Sequence, residues 1–239
     1  MGHVFYIHGF ASSAQSTKAA FFADRLRPLG IELQCPDFNG PDFSTLTSSR
    51  MISQLEAVMA ALPPGPVALV GSSMGGFVAF HAAVRQASRR ARRECVSHPI
   101  DRLVLLAPAF EFGRSRFGTL DEEGVARWKE SDRLDVFHHG EKRVLPLTFA
   151  IFEDAQRWDS FAEEVPVPTL IFQGSRDEAV EPAMVRRFAA PRPLVTLRML
   201  DDDHLLMANI DLVWRETATF LGLPLLRAGS SPVVPGAGR

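Results

Sequence analysis

The stretch Pro66-Val67-Ala68-Leu69-Val70, running into Gly71-Ser72-Ser73-Met74-Gly75-Gly76 and then into Phe77, Phe80 and Ala83, decides the fold. Its first five residues are an apolar, strand-sized run. The residues after Gly76 carry the spacing of a helix that buries one face. Strand, sharp turn and helix in that order put the G-x-S-x-G pattern in the setting of a nucleophile elbow, with Ser73 lifted above the end of a sheet. Glycine suits positions 71 and 75 because a side chain at either would collide with neighbouring backbone. Ser73 also stands at a helix N-terminus, where backbone N–H groups favour developing negative charge. Two other glycine motifs fail here. A phosphate loop needs Lys and then Ser or Thr where Phe77-Val78 stand, and a dinucleotide fingerprint needs glycine where Ser73 stands.

Outward from the elbow, short apolar runs alternate with helical patterns. Val4–Ile7, Ile31–Cys35, Val67–Val70, Leu103–Leu106, Thr169–Phe172 and Leu194–Leu200 read as strands, most of them apolar on both faces. Met51, Ile52, Leu55, Val58, Met59 and Leu62 keep a helical period, as do Met207, Ile210, Val213, Trp214, Thr217, Phe220 and Leu221. Pro182 fits the first turn of a helix from Glu181 to Ala189. This alternation predicts βαβ units, hence a three-layer α/β protein with a mostly parallel sheet of about six strands. One stretch breaks it. Residues 111–164 are rich in charge and aromatics and read as a helical cap inserted over the sheet. Thr119 and Glu122 offer a capping box for a helix through Trp128, and a second helix is expected near Asp154 to Phe161. Residues 1–227 read as one domain, and the Gly, Pro, Ser and Val tail 228–239 as disordered.

Composition narrows the function. The chain has 239 residues with formal net charge −2, so it lacks the general positive field of a nucleic-acid binder. Cys35 and Cys95 are the only cysteines, which excludes a disulfide scaffold and fits reduced, half-buried thiols. No apolar run reaches the ~18 residues of a membrane span, and no leader pattern is present, so the cytoplasm is the expected location. The composition is silent on oligomeric state.

The remaining chemistry lies in loops that follow strands. Tyr6-Ile7-His8-Gly9-Phe10 closes the first strand. An early loop of this kind supplies one oxyanion N–H and the residue after the nucleophile the other, which points to Phe10 and Met74. His8 reads as a histidine that orders the loop, beside Gly9, because a base should follow the acid in chain order. After Thr169–Phe172 come Gln173-Gly174-Ser175-Arg176-Asp177, and after Leu194–Leu200 come Asp201-Asp202-Asp203-His204. Both loops stand in the order Ser, acid, His. His204 is the only histidine after Asp177, and Asp177 is preferred to Glu178 because it stands a short turn beyond its strand. At least two of Asp201, Asp202 and Asp203 read as a solvated turn. His138-His139 is a poor metal pair without a third ligand. The arginines at 85, 89, 90, 92 and 93 suit the C-terminus of the elbow helix. Lys18 reads as a surface lysine, with an acidic leaving group as the alternative.

Taken together, His8-Gly9-Phe10-x-Ser12-Ser13-x-x-Ser16-x-Lys18 and Gly71-Ser72-Ser73-Met74-Gly75-Gly76 resemble the α/β hydrolases, and among them the small bacterial esterases of the YqiA type. The resemblance implies a three-layer α/β-hydrolase fold, from which the chain departs in that the first two strands of the larger form are not expected and the stretch 111–164 is long for so compact a family. It implies a serine esterase for short to medium acyl esters, with Ser73, Asp177 and His204 as triad. No cofactor or metal is called for, and the partner is a small acyl ester or thioester. Acyl thioesterase, lactonase and carbon–carbon bond hydrolase stay open as reactions, and a ligand-binding module of the same fold as a non-enzymatic reading. Besides His8 and Gly9, the expected substrate contacts are Phe110, Trp128 and Phe152, with the insertion setting acyl-chain selectivity.

Overall fold

The computed structural model describes residues 2–113 and 120–225. Six strands form the main sheet: β1 His3–Ile7, β2 Leu33–Gln34, β3 Val67–Ser72, β4 Ile100–Leu106, β7 Thr169–Gly174 and β8 Val195–Leu200. They lie in the order β2-β1-β3-β4-β7-β8, and every neighbouring pair is parallel. β5 (Leu134–His138) and β6 (Arg143–Leu147) form a separate antiparallel hairpin. The helices are α1 Thr17–Leu26, α2 Ser48–Ala60, α3 Met74–Ala91, α4 Glu122–Ser131, α5 Ala150–Ala155, α6 Pro182–Ala189 and α7 Ile210–Phe220.

The side-chain period of two sorts each strand onto two cores. Phe5, Ile7, Leu69, Leu103, Leu105 and Ile171 face a core shared with α2, α3 and α6. Val4, Tyr6, Val70, Val104, Leu106 and Phe172 face a core shared with α1 and α7. Thus α1, which follows β1, covers one face, and α3, which follows β3, covers the other. The chain changes face between two adjacent strands, and ligands in open α/β sheets bind in the crevice at such a switch point.

Four details depart from the sequence reading. The strand expected over Ile31–Cys35 pairs only through Leu33 and Gln34, at the sheet edge ahead of Pro36. Within residues 111–164, helices α4 and α5 flank the β5–β6 hairpin, so the insertion is not purely helical. The second insertion helix lies earlier than expected and ends at Ala155. Asp154 turns its carboxylate to the start of α2, accepting from Ser49 N at 2.8 Å and Ser49 Oγ at 2.5 Å. Asp159 accepts from Phe161 N instead of continuing a helix. At the start of α4 the capping side chain is Asp121, which accepts from Gly124 N at 2.8 Å. Thr119 and the tail 228–239 lie outside the described residues.

Candidate active site

Ser73 sits between β3 and α3 with φ 55° and ψ −119°, a left-handed value rare for a residue with a side chain. The glycines around it are steric requirements. A Cβ on Gly71 would stand 2.4 Å from the Gly75 carbonyl oxygen, and one on Gly75 would stand 2.1 Å from that of Ile7. The turn is held by Ser73 N donating to Leu106 O at 2.8 Å and Gly76 N donating to Ser73 O at 2.9 Å. Met74 opens α3, so its N–H has no carbonyl four residues back to bond.

The loop after β1 lies against this turn. A Cβ on Gly9 would sit 3.3 Å from Ser73 Cβ. His8 is buried, with Nδ1 at 2.9 Å from Gly9 O and Nε2 accepting from Phe38 N at 3.2 Å. A carbonyl only accepts and an amide only donates, so the proton is on Nδ1 and both ring nitrogens are occupied. These two bonds tie the loop after β1 to the segment that carries Phe38. Phe10 is half-buried, 5.7 Å from the Phe43 ring and 6.4 Å from that of Phe112. The hairpin turn closes over the same loop, since His139 N donates to Ala11 O at 2.8 Å.

The loops after β7 and β8 bring Asp177 and His204 together. His204 Nδ1 is 2.9 Å from Asp177 Oδ2, the carboxylate side chain is 0% exposed, and the imidazole is 25% exposed. Asp177 Oδ2 also accepts from Gln173 Nε2 at 2.9 Å, while Oδ1 accepts from Ala179 N at 2.9 Å and Val180 N at 2.8 Å. Burial pushes the Asp177 carboxyl up. The bonds from His204, Val180 and Gln173 outweigh that and hold it below the ordinary carboxylate range. Glu178, the rival acid, is exposed. Gly174 is where the two loops touch, because a Cβ there would stand 2.4 Å from Asp203 O. Asp202 is 2% exposed and accepts from Asn209 N at 2.9 Å and Asn209 Nδ2 at 3.0 Å, which fixes the loop carrying His204. Gln173 and Asp202 were not singled out from the sequence. A polar residue inside an apolar strand end was the available signal for the first.

With Nδ1–H given to Asp177, His204 Nε2 is left as an acceptor. Among the described residues no hydrogen bond within 3.5 Å joins it to Ser73 Oγ. Phe110, Trp128 and Phe152 are 1%, 2% and 6% exposed and lie within the core. Phe110 stacks on Phe188 at 3.7 Å, and Trp128 meets Phe149 at 5.1 Å and Phe152 at 6.2 Å. Cys35 is half-buried and Cys95 exposed, both as free thiols. His138 is buried while His139 is exposed, and no group of three metal-ligating side chains gathers among the described residues. No described helix is long and apolar enough to cross a membrane.

Comparison with known proteins fits this architecture. The chain is 24% identical over 185 residues to the mitochondrial palmitoyl-protein thioesterase ABHD10 of Bos taurus, covering 74% of this chain and 57% of that one, so it spans little more than half of that relative's length. Est1E from Butyrivibrio proteoclasticus, solved with ferulic acid bound, superposes with a TM-score of 0.76 at 21% identity, over 92% of this chain and 88% of that one. Mouse alpha/beta hydrolase domain-containing protein 10 superposes with a TM-score of 0.73 at 18% identity, over 92% and 89%. These likenesses show the α/β-hydrolase fold that the motifs resembled. Residues 3–220 match the model of UPF0227, an uncharacterised protein family, and the chain belongs to that family.

Proposed function

We propose that this chain is a serine hydrolase that cleaves small acyl esters or thioesters through an acyl-enzyme on Ser73. The observation that carries the reading is the Asp177–His204 pair, its carboxylate buried and joined to the imidazole at 2.9 Å, beyond the same C-terminal ends of the parallel strands that carry the strained Ser73. A serine hydroxyl is a weak nucleophile and needs an adjacent base. His204 Nε2 takes the Ser73 proton as Oγ attacks the acyl carbonyl, and Asp177 holds the tautomer and steadies the imidazolium. Phe10 and Met74 N–H groups receive the oxyanion. As the tetrahedral intermediate collapses, the proton passes from His204 to the leaving alcohol or thiol. Water then repeats the cycle on the acyl-enzyme, releasing the acid and restoring Ser73. The half-buried rings of Phe10 and Phe112 give the acyl chain an apolar wall.

Thioester cleavage is the second reading, favoured by the likeness to a palmitoyl-protein thioesterase. The two free cysteines suit a reducing compartment, so the cytoplasm remains the proposed location. A fluorophosphonate probe should label Ser73. A p-nitrophenyl ester series from acetate to palmitate, run beside acyl-CoA, then separates ester from thioester preference. Absence of labelling at Ser73 with full binding of acyl ligands would make the protein a binding module instead.

A further inference from the structure

The main sheet ends on one side in β2, two residues long and stopped by Pro36, and on the other in β8, six residues long. Along a strand, the N–H and C=O of one residue point to one side in the plane of the sheet and those of the next to the other. Leu194 O accepts from Thr169 N at 2.9 Å and Leu200 O from Ser175 N at 2.8 Å, so the even-numbered residues of β8 serve β7. Val195, Leu197 and Met199 therefore turn their backbone groups to the open edge. Val195 N donates to Arg192 O at 3.0 Å. The N–H groups of Leu197 and Met199 and the carbonyls of Val195, Leu197 and Met199 meet no other strand among the described residues. The two faces of the strand differ. Thr196 and Arg198 are exposed on the α7 side, where they border a shallow cleft with Glu216 and Phe220, and Arg198 Nε donates to Glu216 Oε2 at 2.6 Å. Val195, Leu197 and Met199 are half-buried, and the first two pack on the core that holds α6.

We infer that this edge pairs with the same edge of a second copy of the chain, antiparallel, about a two-fold axis through Leu197. A long unpaired edge strand is a template for another strand, and the self-complementary pattern of β8 makes that strand its own copy. In this register Leu197 exchanges both of its bonds with Leu197 of the second copy. Met199 N–H donates to the second copy's Val195 O, and the reverse bond forms by symmetry. Val195 then lies against Met199 and Leu197 against itself, apolar on apolar, while Thr196 lies against Arg198. Sliding the pair one way sets Pro193, which has no N–H, against Met199. Sliding it the other way sets Arg198 directly against Arg198, like charge on like. With Leu197 on the axis the two arginines lie diagonally instead. Each stays beside its own Glu216, so the charges alternate in sign across the joined cleft. The axis stands normal to the sheet and turns the strand ends of the two copies in opposite directions. Ser73 and His204 of each copy thus stay open to substrate.

Sedimentation velocity of the full chain, from low to high micromolar concentration, tests this, with thermal melts to check that each variant folds. The native chain should pass from monomer to dimer. Met199→Pro removes an outward N–H and leaves the ladder to β7 intact, so it should stay monomeric where the native chain is dimeric. Thr196 is exposed, and its variants read the register. Thr196→Glu places a carboxylate against the second copy's Arg198 and should tighten the dimer by about fivefold, since symmetry makes each new pair twice. Thr196→Arg places like charges there and should weaken it by about as much. A native chain that remains monomeric at high micromolar concentration overturns the inference. So does a dimer indifferent to all three substitutions, which would use another surface. Equal weakening by Thr196→Glu and Thr196→Arg also overturns it, because that result puts Thr196 against itself. Should Met199→Pro not fold, the opposite signs expected of the two Thr196 variants still decide the matter.

Discussion

Gln173 offers the most direct perturbation of the acid without touching it. Its Nε2 donates to Asp177 Oδ2 at 2.9 Å, the same oxygen that His204 bonds, and lies 3.2 Å from the carbonyls of Gly174 and Val180. Its Oε1 is buried and has no hydrogen-bond partner. Gln173→Leu removes one of the four bonds that Asp177 accepts. A hydrogen bond to a charged group is worth about 1.5–3 kcal/mol, so losing it should move the carboxyl back up toward the ordinary carboxylate range. The cost to overall stability should be far smaller, about 1 kcal/mol, because the orphaned Oε1 leaves with the amide and its desolvation penalty of about 1–3 kcal/mol is relieved. At neutral pH Asp177 stays ionised, so kcat should fall by about tenfold through looser orientation of His204 rather than through protonation. Gln173→Glu makes the sharper case. It places a second carboxyl on Asp177 Oδ2, and two carboxylates in contact cannot both ionise. While that carboxyl holds its proton it can replace the amide as donor, and once it loses it the pair repels. Activity of Gln173→Glu should therefore decline as pH rises above neutral, where the native enzyme does not. Full pH profiles of kcat/KM with parallel thermal melts measure both effects. Native rates in Gln173→Leu, together with a Gln173→Glu profile parallel to the native one, would refute the orienting role of Gln173.

Other outcomes follow from the same geometry. Ser73→Ala should lower kcat by about 10⁶-fold against p-nitrophenyl acetate, the loss typical of removing a serine-hydrolase nucleophile. Asp177→Asn should cost about 10⁴-fold by setting the wrong histidine tautomer, while Glu178→Gln, an exposed change, should leave kcat within about twofold; the reverse order would make Glu178 the acid. His81 is buried among Phe77, Phe80 and Trp158 with Nε2 at 2.9 Å from Ser160 Oγ, and burial lowers its pKa to about 3. Its folded value lies below the unfolded one, so its share of stability is present above pH ~6.5 and is lost as pH falls toward 3, at up to about 1.4 kcal/mol per pH unit. Melting curves between pH 7 and 4 should show that slope, and His81→Leu should flatten it.

What the sequence made legible was local. The elbow could be read because its glycines answer contacts within one turn and one neighbouring strand, and Gly75 against the Ile7 carbonyl is the physical content of the motif. Most of the strands could be read because both faces are apolar and β8 because Val195, Leu197 and Met199 alternate with Thr196 and Arg198, while β2 was overread because an edge strand needs pairing partners that the pattern does not reveal. Asp177 and His204 followed from chain order and strand ends. Their supports did not. Asp202 looks like its neighbours Asp201 and Asp203 in sequence, yet it alone of the three is buried, against Asn209. Gln173 looks like a strand-end polar residue. The displaced helix α5 has the same cause as these omissions, since the Asp154 carboxylate serves Ser49, 105 residues away in sequence.

The insertion shows how burial redirects a functional expectation. Aromatic residues in a charged stretch suggested a cap whose inner face reads the acyl chain. In the fold, that stretch is bonded to the body at several places. His139 N donates to Ala11 O at 2.8 Å, Thr148 N to Ser44 O at 2.9 Å, and Ser49 N to the Asp154 carboxylate at 2.8 Å. Trp128 is 2% exposed and donates from Nε1 to Leu147 O at 3.0 Å, between the Phe149 and Phe152 rings. Truncating such a side chain costs the cavity as well as the contacts, about 3–5 kcal/mol. Trp128→Ala should thus lower the melting temperature strongly and depress every ester in proportion to the folded protein lost. Phe10 and Phe112 are half-buried, and the Phe112 ring lies 5.9 Å from that of Phe77 in the first turn of α3. Phe112→Ala should change the preferred chain length, with each lost contact worth roughly 1–3 kcal/mol, while the melting temperature falls less than in Trp128→Ala. The ratio of kcat/KM for butyrate and laurate esters, measured beside the melts, distinguishes the two. A shifted ratio in Trp128→Ala at an unchanged melting temperature would return selectivity to the buried cluster of Trp128, Phe149 and Phe152, because a wall that only holds its neighbours in place has no means of telling one acyl chain from another.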